Sequence, residues 1–500
     1  MKVDFIQEPE LEFGSNGRHI DIRFGLMNYG PLDRDLQTAP EQIRIGVVGS
    51  GESVEGFAAW MAACREGVDA KTSKQPSLFP RFPGFGQGEM LQADLITDAS
   101  LQRTFRDKDI QQLCARTDDN EVVREAAALF LDELTALVEK GKADVLVCAV
   151  PFTLLKRMRA TSDVVTKQEE SPASAPPATA APSATPSAPA PESDEPQIDF
   201  HDLLKARAMS LGVPLQLVVP STYDETKRLR QVHRDALRKP QDEATRAWNL
   251  YVALYYKAGG VPWRLVRDPA QLTVCYVGVS FYEALDGSAL LTSTAQIFNE
   301  RGEGIILRGG AATVSKEDRQ PHLDATGAEQ LLTAALRAYR GEHKTQPARV
   351  VLCKTSGYSG EELSGFRAAL NVHDIETVDL MNEGETHTRL YRVGDYPPLR
   401  GTFLSKSDEK HVLYTRGSVD FYETYPGMYV PRPIGLTFAD VASTPRSIAQ
   451  EMLALTKMNW NNTQFDNSEP IIVTAARKVG KILKYIEADA RPQTRYSFYM

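Results

Sequence analysis

Cysteine is scarce and shows no metal or disulfide pattern. Five residues in 500, Cys64, Cys114, Cys148, Cys275 and Cys353, have no C-x-x-C spacing and no histidine beside them. They read as reduced core residues, not as zinc ligands or a disulfide framework. Long apolar runs are also lacking: none approaches the ~18 residues of a spanning helix. The N-terminus, MKVDFIQEPELEF, places charge where a signal peptide needs an apolar centre. The expectation is a soluble, cytoplasmic protein. An excess of positive charge is missing as well, since the formal net charge is −9. Any nucleic-acid site must therefore be a local concentration of Lys and Arg. Between His201 and Arg267, Lys and Arg outnumber Asp and Glu roughly two to one, although a solvated helix face would produce the same run.

The hydrophobic content of 42% over 500 residues is enough for two to four compact domains. Residues 1–40 hold short alternating segments, VDFIQ and HIDIRFG, punctuated by glycines, and read as strands and turns that complete a sheet elsewhere. From Ile43, IRIGVVGSGESVEGFAAWMAACREG reads as a buried strand, a glycine turn and an amphipathic helix. The turn lacks a nucleotide-binding signature. Its order is G-x-x-G-x-G, Gly46 lies inside the strand, and no G-K-[ST] follows. A tight strand-to-helix turn is the favoured reading.

KQPSLFPRFPGF, residues 74–85, carries three prolines and reads as a pinned, extended loop. Residues 121–140 pattern as an amphipathic helix leading into ADVLVCAVP, an apolar strand of the kind buried on both faces. Helix followed by apolar strand, repeated, predicts an α/β fold with a parallel sheet covered by helices. Residues 171–196 are almost wholly Pro, Ala, Ser and Thr, and read as a disordered surface insertion that interrupts the pattern without ending it.

The run His201–Trp263 carries the candidate chemistry. In HDLLK the i, i+4 spacing places His201 and Lys205 on one helix face, where both can address one anion. Gln216 is the only polar side chain of the apolar strand VPLQLVV, and a buried amide needs a partner. Lys257 ends the helix WNLYVALYYK just before Gly259 and Gly260. Each has an ordinary explanation: a surface histidine, or a lysine complementing a helix C-terminus. Their order is the stronger signal.

With KAGGVPW at 257–263, this run resembles the MID domain of Argonaute proteins, whose pocket motif is Tyr or His, Lys four residues on, Gln about a dozen later, and Lys in K-x-G-G-x-P-W. The resemblance implies that His201, Lys205, Gln216 and Lys257 bind the 5′-phosphate of a guide strand, with the first base stacking on the imidazole. It continues past Trp263, where LTVCYVGVSFYEA and ALLTSTAQIFNERGEGIIL look like the opening hairpin of an RNase H-like PIWI domain. The implied architecture is an N-terminal strand segment (1–40) packing on PIWI, a Rossmann-like MID domain (41–262) and PIWI (263–500).

An active PIWI domain needs carboxylates for two divalent cations. At the first two expected positions this chain has Ser280 and Thr355, and around 474–477 it has no acid or histidine. A neutral hydroxyl does not replace a carboxylate on Mg²⁺. Asp286, Asp318, Asp324, Glu361 and Glu362 are the acids near enough in sequence to form a displaced site. The expectation is an inactive PIWI domain and no target cleavage.

The resemblance is closest to short prokaryotic Argonautes, which lack the N-terminal and PAZ domains. It implies a guide-loaded immune sensor, with guide RNA and complementary single-stranded DNA as ligands. An APAZ-containing partner in trans would carry the effector: a TIR or sirtuin-like NADase, or a nuclease. It also implies a Mg²⁺ at the guide phosphate, held by the terminal carboxylate of Met500, for which the tail RYSFYM is apolar enough to be tucked in. Two rival classes differ in what they predict. An RNase H-type endonuclease cleaves in Mg²⁺ without a partner; a nucleotide-dependent α/β metabolic enzyme is sensitive to Gly49 or Gly51 and indifferent to Lys205.

Overall fold

The computed structural model describes residues 1–500 apart from 159–195, 228–240, 267–269, 271, 299–303, 392, 394–396, 428–429, 488–489 and 491. The proposed insertion at 171–196, except Pro196, and much of the basic run lie outside the described residues.

The chain opens with β1 (Lys2–Phe5), β2 (Leu11–Glu12), β3 (Arg18–His19) and α1 (Ile22–Tyr29). The helix corrects the strand reading of HIDIRFG. Asp21 accepts hydrogen bonds from the Arg23 and Phe24 amides (2.8 and 2.9 Å), a cap that starts a helix, and Gly30 at φ +72° stops it. Alternation over so few residues could not reveal that cap.

A first sheet is built from β4 (Gln42–Ser50), β5 (Asp94–Ile96), β6 (Gln102–Phe105), β7 (Val145–Ala149) and β8 (Leu215–Val218). Its order is β5-β4-β7-β8, with β6 on the far half of β4, and every pairing is parallel. The strands are apolar because α2 (Gly51–Glu66) covers one face while α3 (Asp107–Cys114), α4 (Asp119–Glu139) and α5 (Phe200–Ala208) cover the other. The glycine turn is structural. Ser50 caps α2, Ser53 Oγ donates to the Ala149 carbonyl (2.9 Å), and a side chain at Gly49 would strike that same carbonyl. α6 (Glu243–Lys257) follows. The loop at 74–85 is extended except for a 3-10 turn at Pro76–Leu78.

The second sheet has ten strands among the described residues. After β9 (Arg264–Leu265), which pairs with β2, come β10 (Val274–Glu283), β11 (Leu290–Phe298), β12 (Gly304–Val314), β13 (Pro321–His322) and α7 (Ala325–His343). Then follow β14 (Arg349–Lys354), α8 (Gly360–Val372), β15 (Thr377–Glu385), β16 (Thr402–Ser405), β17 (Lys410–Leu413), β18 (Ile434–Val441), α9 (Pro445–Leu455) and α10 (Ile471–Leu483). The order is β1-β16-β17-β18-β15-β14-β10-β11-β12-β13, with β10, β14 and β15 parallel. α7 and α8 pack on one face and α10 on the other. One apolar cluster runs from α2 and α6 through α9 and α10, so the two sheets share a core. No described helix is long and apolar enough to cross a membrane.

Candidate nucleic-acid pocket and the strand ends of the second sheet

The lysines of the first site are buried. Lys205 lies on the inner face of α5 among Phe200, Leu203, Leu204 and Ala208, and is 2% exposed. Its Nζ donates to the Leu215 carbonyl at 3.0 Å and to the main-chain oxygen of Met500. Burial pushes this amine down to about 7, against the pull of Asp202. Lys257, the last residue of α6, is also buried, and its Nζ has no hydrogen-bond partner. Burial, then the nearby charges of Lys205 and Lys478, hold it well below the usual lysine range. Lys478 comes from α10 of the second sheet, and partial burial of its amine lowers it too. Sequence reasoning missed this third lysine because only the packing of α10 against α5 brings it near.

Gln216 completes the interior. Its Nε2 donates to the Leu217 carbonyl (2.9 Å), while its Oε1 is buried with no donor. His201 is on the rim, half exposed, with Nδ1 2.7 Å from Asp202 Oδ1. The structure thus sets Lys205 and Lys257 close enough to oppose each other's charge and turns His201 outward. The tail packs against the same place: Tyr496, Phe498, Tyr499 and Met500 are buried, and Gln493 Nε2 reaches the Met209 carbonyl (3.2 Å). A cavity of about 400 Å³ beside Lys257 lies between Gly212 and Pro214 on one side and Thr494, Arg495 and Phe498 on the other. Asp144, Glu342 and Arg495 line it with Lys257, whereas Lys205 and Gln216 do not. Two buried amines, one unpartnered, are costly unless neutral or paired, and a phosphate dianion would supply the missing charge and acceptors.

The second place of interest is the carboxyl end of β10, β14 and β15. Ser280 Oγ and Thr355 Oγ1 are neighbours there, 3.5 Å apart. Lys354, the adjacent residue, points to the opposite face by strand alternation. It is fully buried, paired with Glu362, and donates to the Gly357 carbonyl (3.0 Å). Glu362 also meets His322 Nδ1 (3.0 Å), whose Nε2 meets Asp318 (2.8 Å). Asp324 caps α7 through the Gly327 amide (2.6 Å), Asp286 closes a turn with Ser288, and Glu361 is exposed in the first turn of α8. Four of the five acids that sequence proximity suggested therefore have structural partners. On the Ser280 face stands another that the sequence did not mark, Glu383, one residue past the Asn382 that pairs with Lys354.

Taken together, a parallel five-stranded unit joined to a sheet with RNase H-like connectivity is the MID and PIWI arrangement of the Argonaute fold. The solved structures that this chain resembles have that fold. Clostridium butyricum Argonaute bound to a guide DNA and a 19-mer target DNA matches with a TM-score of 0.61 and 14% identity, over 97% of this chain and 53% of that one. Drosophila Piwi matches at 0.56 and 12%, over 99% and 56%; A. aeolicus Argonaute at 0.56 and 11%, over 99% and 54%. The chain thus spans about half the length of these proteins. No family model and no curated protein sequence matches it.

Proposed function

We propose that this chain is a guide-dependent nucleic-acid sensor of a prokaryotic immune system. It anchors a 5′-phosphorylated small guide RNA, pairs it with complementary single-stranded DNA, and signals to an APAZ-containing effector in trans without cutting the target. The observation that carries the proposal is the unpartnered amine of Lys257 beside Lys205. The likeness to an Argonaute bound to guide and target DNA supports it. In this reading Lys205 and Lys257 neutralise the phosphate, Gln216 orients it, and the exposed imidazole of His201 stacks on the first base. The absence of a carboxylate at Ser280 and Thr355 supports assigning the chemistry to the partner, a TIR or sirtuin-like NADase or a nuclease.

A Mg²⁺ at the guide phosphate requires oxygen ligands. The pocket offers Gln216 Oε1, which has no donor, and the main-chain oxygen of Met500 at Lys205. These residues would hold the ion, which would supply further neutralisation of the phosphate.

The test is a binding titration with 5′-phosphorylated and 5′-hydroxyl guides, each as RNA and DNA. Phosphorylated guides should bind more tightly. Lys205→Ala and Lys257→Ala should each remove roughly 1.5–3 kcal/mol of that preference and flatten the salt dependence. Equal affinity for both ends in the unaltered chain would sink the pocket assignment, and Mg²⁺-dependent cleavage without a partner would favour the endonuclease reading.

A further inference from the structure

The main chain around Lys257 is held by a residue far from it in sequence. Lys257 Nζ is buried without a hydrogen-bond partner, so no bond of its own fixes where the amine lies. Its place is set by the end of α6 and the turn that follows. That turn folds back on the helix. The Gly259 amide donates to the Tyr256 carbonyl (2.9 Å) and the Gly260 amide to the Tyr255 carbonyl (3.0 Å), the two bonds of a Schellman cap. Gly259 takes φ +95°, and a side chain at Gly260 would strike the Tyr255 ring.

Asp33, from the N-terminal segment, joins the two sides of this turn. Its Oδ1 accepts from the Tyr255 hydroxyl at 2.6 Å, in the last turn of α6. Its Oδ2 accepts from the Val261 amide at 2.8 Å, just past the glycines. The neighbouring Leu32 amide adds a bond to the Pro262 carbonyl (3.0 Å). Asp33 is 4% exposed, and burial raises its carboxyl against the pull of these two donors. A buried carboxylate needs its partners, and both of these donors belong to the Lys257 turn. One side chain thus ties the helix end to the strand of chain that leaves it.

We propose that Asp33 is a positioning residue for the guide 5′-phosphate: by bridging Tyr255 and Val261 it fixes the main chain from which Lys257 projects, and so sets how well that amine meets a terminal phosphate. The inference rests on the phosphate reading of Lys205 and Lys257. It gives the N-terminal segment a part in guide recognition that acts through Lys257. A charge-assisted hydrogen bond depends on distance and direction. Removing the bridge leaves the amine its charge and frees its main chain, so the loss falls on the phosphate-specific part of the affinity.

The experiment compares the unaltered full chain with Asp33→Ala, Asp33→Asn and Tyr255→Phe by two readouts. The first is the ratio of affinities for 5′-phosphorylated and 5′-hydroxyl guide RNA. Asp33→Ala should lower this ratio at least about tenfold, through weaker binding of the phosphorylated guide. Asp33→Asn should restore most of it, since the amide oxygen can accept from Val261 while the amide nitrogen donates to the Tyr255 oxygen. Tyr255→Phe, which removes one of the two bonds, should fall between. The second readout needs no guide: the rate at which an acetylating N-hydroxysuccinimide ester modifies Lys257, followed by mass spectrometry against the exposed Lys2. Asp33→Ala should raise that rate, and Asp33→Asn should leave it unchanged. An unchanged Lys257 rate in folded Asp33→Ala overturns the proposal, as does a loss of affinity equal for both guides. If the unaltered chain shows no phosphate preference, the pocket reading fails and takes this proposal with it, an outcome told apart by a Lys257 rate that still rises in Asp33→Ala. Should Asp33→Ala fail to fold, Tyr255→Phe decides by the same two readouts.

Discussion

A buried lysine responds to pH in a direction that can be worked out in advance. Lys205 has its amine at about 7 in the folded chain against its usual 10.5, the shift being set by burial. The unfolded chain therefore holds this proton more strongly, and the folded state is penalised. The penalty is complete below about 7 and fades as pH rises toward 10.5. A phosphate dianion reverses the preference by favouring the charged amine. Guide binding above neutral pH should thus take up protons, and affinity for the phosphorylated guide should fall as pH climbs past 7. Calorimetry at pH 8 in two buffers of different ionisation enthalpy checks this: the apparent heats should differ by the buffer term for a 5′-phosphate guide and agree for a 5′-hydroxyl guide. Equal heats for the phosphorylated guide would mean that no amine changes charge on binding.

At the scale of elements, the approach of α10 to β10 places Lys478 at the first site. Gly278 permits that approach, because an added Cβ would meet the Ile472 main chain, which cannot swing aside as a side chain can. Gly278→Ala should cost ~1–3 kcal/mol by overpacking, whereas Gly310→Ala, with open space around it on β12, should lie within ~0.5 kcal/mol of neutral. Denaturant melts of the two variants make the comparison, and equal melts would show that α10 can move away cheaply. The same contact explains what could be read from the sequence. The β4–α2 turn, the apolar β7 and the helix ending at Lys257 announce themselves through local periodicity and punctuation. Lys205, Gln216 and Lys257 were visible because a spaced motif carried them. Lys478 and Glu383 were not, because their proximity arises from helix docking and sheet register between segments far apart in the chain. Helix α1 was misread for a local reason, since the Asp21 cap outweighs an alternation only a few residues long.

At the scale of the whole molecule, a buried ion network fastens the N-terminal segment to the second sheet. Glu8 meets Arg400 Nε at 2.9 Å and Lys457 Nζ at 2.6 Å. Lys457 also donates to the carbonyls of Pro9 (2.6 Å) and Ile20 (2.8 Å), and its own carbonyl accepts from Trp263 Nε1 (3.0 Å). The residues just after α9, the N-terminal strands and the segment joining the two sheets therefore meet at one lysine. Burial alone would raise the Glu8 carboxyl, but the charges of Arg400 and Lys457 outweigh it and hold it below the usual carboxylate range. A carboxylate depressed in the folded state contributes stability above its unfolded value, and that stability is lost as pH falls through the folded value. Glu8→Gln removes the negative charge and leaves two buried cations facing each other, at a cost of ~3–5 kcal/mol. Thermal melts should show a lower Tm for Glu8→Gln at neutral pH. The gap to the unaltered chain should narrow on acidification, because protonating Glu8 does to the parent what the substitution does at every pH. A gap that stayed constant down to the pH of acid unfolding would mean that Glu8 holds the N-terminal segment by packing, not by charge.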